Sequence, residues 1–399
     1  MPAAPHSASR PLPQREGEKA KLAVTRLNLT NFRSYATAEL TIAAAPVVLA
    51  GPNGAGKTNI LDAISLLSPG RGLRGAKLSE HIRKGPAAPD GAQWAVAATV
   101  ARGETSYEIG TGLTLGPNGG ERRPGAGRQE RRHVRLNGVE AKGSADLADI
   151  VQILWLTPAM DRLFIESASG RRRFLDRLVL AFEPGHARAA TRYETAMRER
   201  ARLLKYGPRD PSWLDGLENE MAEAGVMLAQ SRAATVERLN RALAEREAAG
   251  VFPAAHLRLD GDVFESAETL RDGLAQSRIR DAEAGRTLVG PHLTDLAARH
   301  TLKRADARDC STGEQKALLI AIMLAEAREL SRSAGQMAPL LLLDEIAAHL
   351  DAARRAALFE EITALKAQAW MTGTDLSLFE KAQAQIFLVE NGCFREVAA

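Results

Sequence analysis

The segment at residues 51–59, GPNGAGKTN, constrains this chain more than any other part of it. It fits the pattern G-x-x-x-x-G-K-[ST], in which glycines let a loop curl so that successive backbone N–H groups point at one set of phosphates. An apolar run at residues 46–50 precedes the loop, and apolar residues at helical spacing follow it. A strand, a phosphate loop and a helix are therefore predicted in that order. A glycine-rich turn is the simpler interpretation of the pattern, but the flanks favour a nucleotide-binding site.

The loop residues have separate predicted roles in holding a nucleotide. The positive end of the helix that follows adds to the anion site. Lys57 is expected to neutralise the β- and γ-phosphates as a point charge, and the Thr58 hydroxyl to ligate Mg²⁺. The predicted nucleotide-binding residues are Gly51, Pro52, Asn53, Gly54, Ala55, Gly56, Lys57, Thr58 and Asn59, with Arg33 as a further candidate.

A second motif, at residues 339–345, consists of four consecutive leucines that end in two carboxylates. An all-apolar strand belongs in the middle of a parallel sheet, whose C-terminal edge is where such sheets place ligands. Asp344 is therefore expected to hold the Mg²⁺ that Thr58 also touches, and Glu345 to position or deprotonate an attacking water. A buried strand with a polar cap is the alternative interpretation.

A third motif, CSTGEQK at residues 310–316, precedes an apolar helix. Ser311 as N-cap and Glu314 as its reciprocal partner make a capping box, which explains the pattern without any ligand. A capped helix is also an anion site, because a serine and a nearby glycine can present a hydroxyl and backbone N–H groups to a phosphate. The position of this segment, shortly before Asp344, resembles the signature motif of ABC-type ATPases.

Length and composition are those of an ordinary globular protein, with 399 residues, 45% hydrophobic and 26% charged. This length is enough for two or three domains, or for one large domain with an insertion. No apolar run is long enough to span a membrane, and the proline-rich N-terminus lacks a signal-peptide core, so a cytoplasmic protein is predicted. Two cysteines, Cys310 and Cys393, are too few for a disulfide framework or a cysteine zinc site.

The charge of the chain is unevenly distributed between its two halves. Residues 1–200 carry 29 Lys and Arg against 19 Asp and Glu, whereas the remainder carries 24 against 30. A basic half beside an acidic half predicts a polyanion-binding face, and a solvated arginine-rich surface is the equal alternative. A glycine- and arginine-rich stretch at residues 116–133 is interpreted as a mobile basic loop.

Hydrophobic periodicity predicts the order of the other elements. Strands are expected at residues 23–29, 36–42, 94–101, 106–112 and 150–156, with a hairpin that turns at Asn137 and Gly138. From about residue 166 the chain becomes helical, with one helix from residue 169 to about 206 and another from residue 213 to about 249. A strand at residues 251–259, a helix at 266–284 and a strand at 300–303 follow. The apolar stripe of the second helix is expected to be core, and it consists of Trp213, Leu217, Met221 and Leu228.

Taken together, the motifs resemble those of the RecF family, bacterial recombination mediators whose fold is similar to the head domains of SMC-type chromosome proteins. They are NFRSY at 31–35, the phosphate loop with NILDAI, RRRFLD at 171–176, GPH at 290–292, STGEQK at 311–316, LDE at 343–345 and TGT at 372–374. The resemblance covers roughly residues 22–395 and implies an α/β fold, an ABC-type P-loop ATPase head with an inserted, mainly helical lobe. The implied division is a flexible tail at 1–21, the head at 22–165 and 291–399, and the helical lobe at 166–290.

The resemblance also implies a head-to-tail dimer that sandwiches ATP. Lys57 and Thr58 of one subunit would bind the nucleotide, while the signature residues of the other would close over its γ-phosphate, namely Ser311, Thr312, Gly313, Glu314 and Gln315. Glu345 and Lys57 would serve a slow hydrolysis that releases the dimer. The dimer would bind gapped DNA at single-strand/double-strand junctions and, with RecR and RecO, help to load RecA during gap repair and SOS induction. Candidate DNA contacts are Arg71, Arg74, Arg171, Arg172 and Arg173. For Arg33, Arg71 and Arg74, a solvated arginine is the equal alternative.

Several positions depart from the wider ABC pattern. No glutamine stands at residues 157–159, where a Q-loop is expected, and Thr372 occupies the position of the switch histidine. Asp351 is the D-loop residue that would link the two active sites. These departures and the long interval between Thr58 and Ser311 argue against a transporter ATPase subunit, the main alternative. A complete SMC protein would need longer helices, and an ATP-binding structural partner without turnover stays open.

Overall fold

The computed structural model describes residues 21–84, 93–113, 131–207, 211–245, 250–333, 337–390 and 392–397. In chain order these residues form β1 (Leu22–Phe32), β2 (Tyr35–Thr41), β3 (Val47–Ala50), α1 (Lys57–Ser65), β4 (Trp94–Arg102), β5 (Thr105–Leu113), β6 (Arg132–Leu136), β7 (Val139–Glu140), β8 (Ile153–Leu156), α2 (Ala168–Phe182), α3 (His186–Tyr206), α4 (Pro211–Ala244), β9 (Ala255–Asp260), α5 (Ala267–Ala284), β10 (Asp295–His300), β11 (Ala305–Asp306), α6 (Thr312–Ser333), β12 (Leu340–Leu343), α7 (Ala352–Leu365), β13 (Ala369–Gly373), β14 (Gln385–Glu390) and β15 (Cys393–Val397). None of the helices in these segments is long and apolar enough to cross a membrane.

A six-stranded sheet with the order β15-β14-β3-β13-β12-β8 lies at the centre of the fold. All its strands are parallel except β15. Every residue of β3 and β12 is buried, which is why both segments are apolar throughout rather than alternating. The carboxyl ends of parallel strands meet at one edge, so the loop after β3 and the carboxylates after β12 come to the same side of the sheet.

Helix α1 and an antiparallel sheet with the order β2-β1-β4-β5-β6-β7 form the layer on one face of the central sheet. Ile60 and Ile64 of α1 pack in the same core as Leu27 and Leu29 of β1. Gln368 fastens the two sheets together. Its side chain accepts the Val24 N–H at 2.8 Å and donates to the Val24 carbonyl at 3.0 Å and the Ala43 carbonyl at 2.9 Å.

The other face of the central sheet is covered by α6 and by parts of α2, α4 and α7. Leu318 of α6 lies in this core together with Leu257 of β9 and Leu296 of β10. The core therefore extends on both sides of the boundary predicted at residue 290. Beyond it, α3, α4 and α5 enclose a smaller cluster around Tyr193 and Met221.

A buried arginine stabilises this helical part. Arg200 is fully buried, and its guanidinium bonds to Glu218 at 2.8 Å and to Asp281 at 2.6 Å. Removing either carboxylate would leave a charge in the interior with incomplete compensation.

Two predictions about the helical region and one about a strand that follows it were wrong. The single helix predicted from residue 169 to 206 is divided into α2 and α3, because Pro184 lacks the N–H that a continuous helix needs. Trp213 is 53% exposed, and its neighbour Leu214 is buried in its place. The strand predicted at residues 300–303 lies earlier, as β10, and residues 301–304 turn back into β11.

Other predictions agree with the described structure or fall outside it. The hairpin at Asn137 and Gly138 is confirmed, and both residues have positive φ, as a tight turn with this sequence requires. The N-terminal tail lies outside the described residues except for Lys21, and so does the predicted basic loop up to residue 130. Helix α4 ends at Ala244, before the undescribed residues 246–249.

Candidate nucleotide site

At two positions, the loop between β3 and α1 has a backbone conformation that only glycine accepts. Gly51 has a φ of +151°, and a Cβ there would lie 2.2 Å from the Val389 carbonyl oxygen. Gly56 has a φ of +109°, and its Cβ would lie 2.6 Å from the Tyr35 hydroxyl. The phosphate-loop glycines are thus required both by backbone angle and by close approach of neighbouring strands.

Lys57 starts helix α1 and folds back over the loop. Its ammonium donates to the carbonyl oxygens of Gly51 at 2.6 Å and Pro52 at 2.8 Å. Burial lowers the pKa of Lys57, and the charges of Glu345 and Asp344 oppose that shift. The side chain is therefore a cation held against the loop by its own carbonyls, with two carboxylates close enough to act on it.

Three elements meet at Asp344, the residue that follows β12. The Thr58 hydroxyl donates to Asp344 Oδ1 at 2.9 Å, and the Thr372 hydroxyl donates to the same oxygen at 2.8 Å. Thr372 lies on β13, which stands between β3 and β12 in the sheet. Sheet order thus brings Thr58 and Asp344 together and places the threonine of the switch position within hydrogen-bond distance of Asp344.

Glu345 is oriented by its backbone. Its φ is +52°, a left-handed conformation that a non-glycine residue adopts at a local cost. Its N–H donates to the Thr372 hydroxyl oxygen at 2.8 Å, which fixes this turn. One buried hydroxyl therefore holds both Asp344 and Glu345.

The oxygens of Thr58 and Asp344 suit a hard divalent cation. Mg²⁺ is held through one or two protein oxygens, with substrate phosphates and water completing its shell. Within the described residues, no group of three or more His, Cys, Asp or Glu side chains could hold a metal. The donor set therefore fits a magnesium ion that arrives with a phosphate ligand and does not fit a metal bound by protein alone.

Arg33 forms an ion pair with a residue of α1. Its guanidinium lies 2.9 Å from the buried carboxylate of Asp62 and donates to the Glu80 carbonyl at 3.0 Å. His81 lies 3.5 Å from the same carboxylate and stacks on Phe32. Asp62, which lies in the NILDAI segment, and His81 are not identifiable from the sequence as neighbours of Arg33, because nothing in their spacing indicates the contact.

The residues at the start of α6 are mostly exposed and bond locally. Ser311, Thr312 and Gly313 are exposed, whereas Gln315 is buried and donates to the Cys310 carbonyl at 2.8 Å. Glu314 accepts the Ser311 N–H at 3.1 Å, which is one half of the predicted capping box. An ion pair with Lys303 and this N–H lower the pKa of Glu314 to about 2.

Asp351 caps a helix. Its Oδ1 accepts the Arg354 N–H at 2.8 Å at the start of α7, and its side chain is 57% exposed. Its predicted role as a link between two active sites stays a prediction.

The five arginines named as DNA contacts differ in how they are held. Arg71, Arg74 and Arg173 are exposed. Arg171 is paired with Asp295 at 2.7 Å and also donates to carbonyls at residues 163, 164 and 166. Arg172, the fifth residue of α2, is half-buried. Arg171 thus has a structural explanation, and the exposed arginines remain available to an external polyanion.

The comparisons with known proteins agree on one family. The family model described as RecF/RecN/SMC N terminal domain matches residues 23–394. The DNA replication and repair protein RecF of Rhizobium rhizogenes strain K84 is 48% identical over 382 residues, covering 93% of this chain and 98% of that protein. The protein of the same name from Mesorhizobium japonicum is 47% identical over 384 residues, covering 94% and 97%.

Solved structures show the same fold. The recombination mediator protein RecF-ATPrS in the RecFOR pathway superposes with a TM-score of 0.81 at 22% identity, covering 95% of this chain and 99% of that one. The Smc head domain from Pyrococcus furiosus, bound to the C-terminal domain of ScpA, has a TM-score of 0.51 at 19% identity and coverages of 95% and 96%. The predicted fold, an ABC-type head similar to those of SMC proteins, is confirmed.

Proposed function

The chain belongs to the RecF family of DNA replication and repair proteins, and on that premise we propose that it is an ATP-switched, DNA-binding homodimer. The observation that supports the proposal is that the phosphate loop and the carboxylates after β12 meet within one subunit, whereas the segment that resembles the signature motif is exposed. Thr58, Asp344 and Thr372 are joined by hydrogen bonds, while Ser311, Thr312 and Gly313 are exposed and bond within their own segment. A second copy, facing the first head to tail, would bring the missing signature residues.

Within the dimer, the loop would hold the ATP phosphates through its N–H groups and Lys57. Thr58 and Asp344 would hold Mg²⁺, which supplies charge neutralisation at the phosphates when bound. Glu345, fixed by Thr372, would position the water and accept its proton. Because the switch position carries a hydroxyl that is already bonded to Asp344, we expect slow hydrolysis that works as a timer for dimer release.

For nucleic acid, we propose that the dimer binds gapped DNA at a single-strand/double-strand junction. The positive charge of the N-terminal half and the exposed Arg71, Arg74 and Arg173 support a phosphate-binding face. With RecR and RecO as partners it would help to load RecA in replication-gap repair and SOS induction, in the cytoplasm. The full-length match to RecF proteins favours this role over a transporter ATPase subunit. The division into a head and a helical lobe at residues 166–290 belongs to the same proposal.

The test is sedimentation of the wild type and two variants, with and without ATP and a gapped duplex. We expect ATP to convert monomer to dimer, DNA to join only the dimer, and Glu345→Gln to hold the dimer longer. Lys57→Ala should neither bind ATP nor dimerise, since the loop loses the buried ammonium that would neutralise the phosphates. DNA binding should weaken steeply with salt, because phosphate contacts release counterions. A Lys57→Ala protein that still dimerises with ATP, or DNA binding that ignores salt, would contradict the proposal.

A further inference from the structure

A partly buried ion pair joins the signature helix α6 to the segment that follows strand β8. Lys316 Nζ lies 3.2 Å from Asp161 Oδ2, and the side chains are 4% and 29% exposed. A lysine ammonium removed from water needs a compensating charge, so this contact is costly to break from either side. The pair therefore fixes the position of the first turns of α6 against residues 158–161.

The segment that carries Asp161 is itself bonded to the nucleotide site. It leaves β8 at Leu156, whose carbonyl accepts the Asp344 N–H at 2.9 Å. Thr157 is buried, and residues 158–160 form a single tight turn before Asp161. A short connection through residues 156–161 thus runs from Asp344 to Lys316, at the place where the sequence lacks a Q-loop glutamine.

A second ion pair on the same helix start provides a contrast. Lys303, in the turn between β10 and β11, pairs with Glu314. The Lys303 side chain is 56% exposed, and exposed pairs hold their partners weakly because water and salt compete for both charges. Two ion pairs therefore hold the signature segment: one has a buried lysine and leads to the nucleotide site, and the other lies on the surface.

We propose that Lys316 and Asp161 are positioning residues, which set the signature residues in the geometry that a partner subunit's nucleotide requires. Lys316 lies one helical turn after Thr312, so a shift of its side chain moves the turn that presents Ser311 and Gly313. Neither residue is expected to touch ATP. The inference rests on the proposed function, since it assigns these residues a part in ATP-dependent dimerisation.

The experiment separates nucleotide binding from dimerisation. Lys316→Met, Asp161→Asn, their double variant and the control Lys303→Met are compared with the wild type. The affinity for a fluorescent ATP analogue measures nucleotide binding at the phosphate loop. Sedimentation with ATP gives the dimer dissociation constant. We expect Lys316→Met and Asp161→Asn to weaken the dimer about tenfold or more while analogue affinity stays within about twofold. Lys303→Met should change both by less than about twofold.

The double variant decides whether the two residues act as a pair. If they do, it should be no weaker as a dimer than the more affected single variant, since the contact is lost once. Lys316→Arg, which keeps the charge, should recover part of the dimerisation. A Lys316→Met or Asp161→Asn protein that dimerises like the wild type, or equal losses of analogue binding and dimerisation, would overturn the inference. A wild type that does not dimerise with ATP would instead remove the proposed function, and this inference with it.

Discussion

Replacing Thr372 with valine should loosen Asp344 and Glu345, the two carboxylates that follow β12, while leaving the phosphate loop intact. Valine has nearly the same shape as threonine, so the buried site loses the hydroxyl and little packing. Two hydrogen bonds disappear, the one to Asp344 Oδ1 and the one from the Glu345 N–H. Asp344 keeps its bond from Thr58, whereas the Glu345 amide loses the acceptor that holds its left-handed turn.

The size of the effect follows from these two bonds. A hydrogen bond to a charged group contributes about 1.5–3 kcal/mol, and an amide left without a partner costs about 1 kcal/mol or more. A combined loss of about 3 kcal/mol corresponds to roughly a hundredfold change at about 1.4 kcal/mol per factor of ten. Because one bond holds the carboxylate that would ligate Mg²⁺ and the other holds the residue that would position the attacking water, we expect single-turnover hydrolysis to fall by up to that factor.

Three measurements test this prediction. Thr372→Val should bind a fluorescent ATP analogue with an affinity within about threefold of the wild type, because Lys57 is untouched. Hydrogen exchange at the Glu345 amide should accelerate in Thr372→Val and stay slow in the control Thr372→Ser, which keeps the hydroxyl. Hydrolysis at the wild-type rate in Thr372→Val would refute the assignment of Thr372 as the support of both carboxylates.

Two further predictions concern backbone and pH. Gly51→Ala should lower the thermal unfolding midpoint well below that of the matched control Gly54→Ala, because a Cβ at Gly51 would lie 2.2 Å from the Val389 carbonyl while one at Gly54 meets nothing within 4 Å; equal midpoints would contradict the close approach. His292 accepts a hydrogen bond from Tyr193 at Nδ1 and donates from Nε2 to the Thr287 carbonyl, and burial lowers its pKa below the ordinary 6.5. The unfolded chain therefore takes up the proton first, and stability should fall as the pH drops below about 6.5. Urea titrations at pH 7.5 and 5.5 should show a smaller acid loss in His292→Gln, and an equal loss in both proteins would exclude His292 as the source.

The parts of the candidate site that could be predicted from the sequence are those whose chemistry is local. The phosphate loop and the leucine strand before Asp344 follow from spacing and composition within ten residues, and parallel sheets force their ends together. The position of Thr372 came only from the family resemblance, and its bonds to Asp344 and Glu345 depend on strand order that no pattern in the sequence reveals. The same holds for Arg33 with Asp62, which are 29 residues apart.

The errors have physical causes as well. The predicted long helix ignored Pro184, whose effect depends on whether tertiary packing favours a kink or a break. Trp213 fits the helical stripe by spacing, but the face that packs inward runs through Leu214 and Met221 instead. A shift of one residue along a helix turns a side chain by about 100°, so a stripe identified from sequence can miss the core at one end while matching it at the other.

The neighbours of β3 have a consequence for how the protein is made. This strand, which carries the phosphate loop, pairs with β13 and β14, both of which lie near the C-terminus. Gln368, which fastens β1, is 344 residues from the strand that it holds. A ribosome releases the chain from its N-terminus, so the helices at residues 168–284 emerge long before β3 acquires either neighbour. The surroundings of the phosphate loop are thus among the last parts to be assembled during synthesis, and a truncated chain that ends before β13 lacks both strands that flank β3.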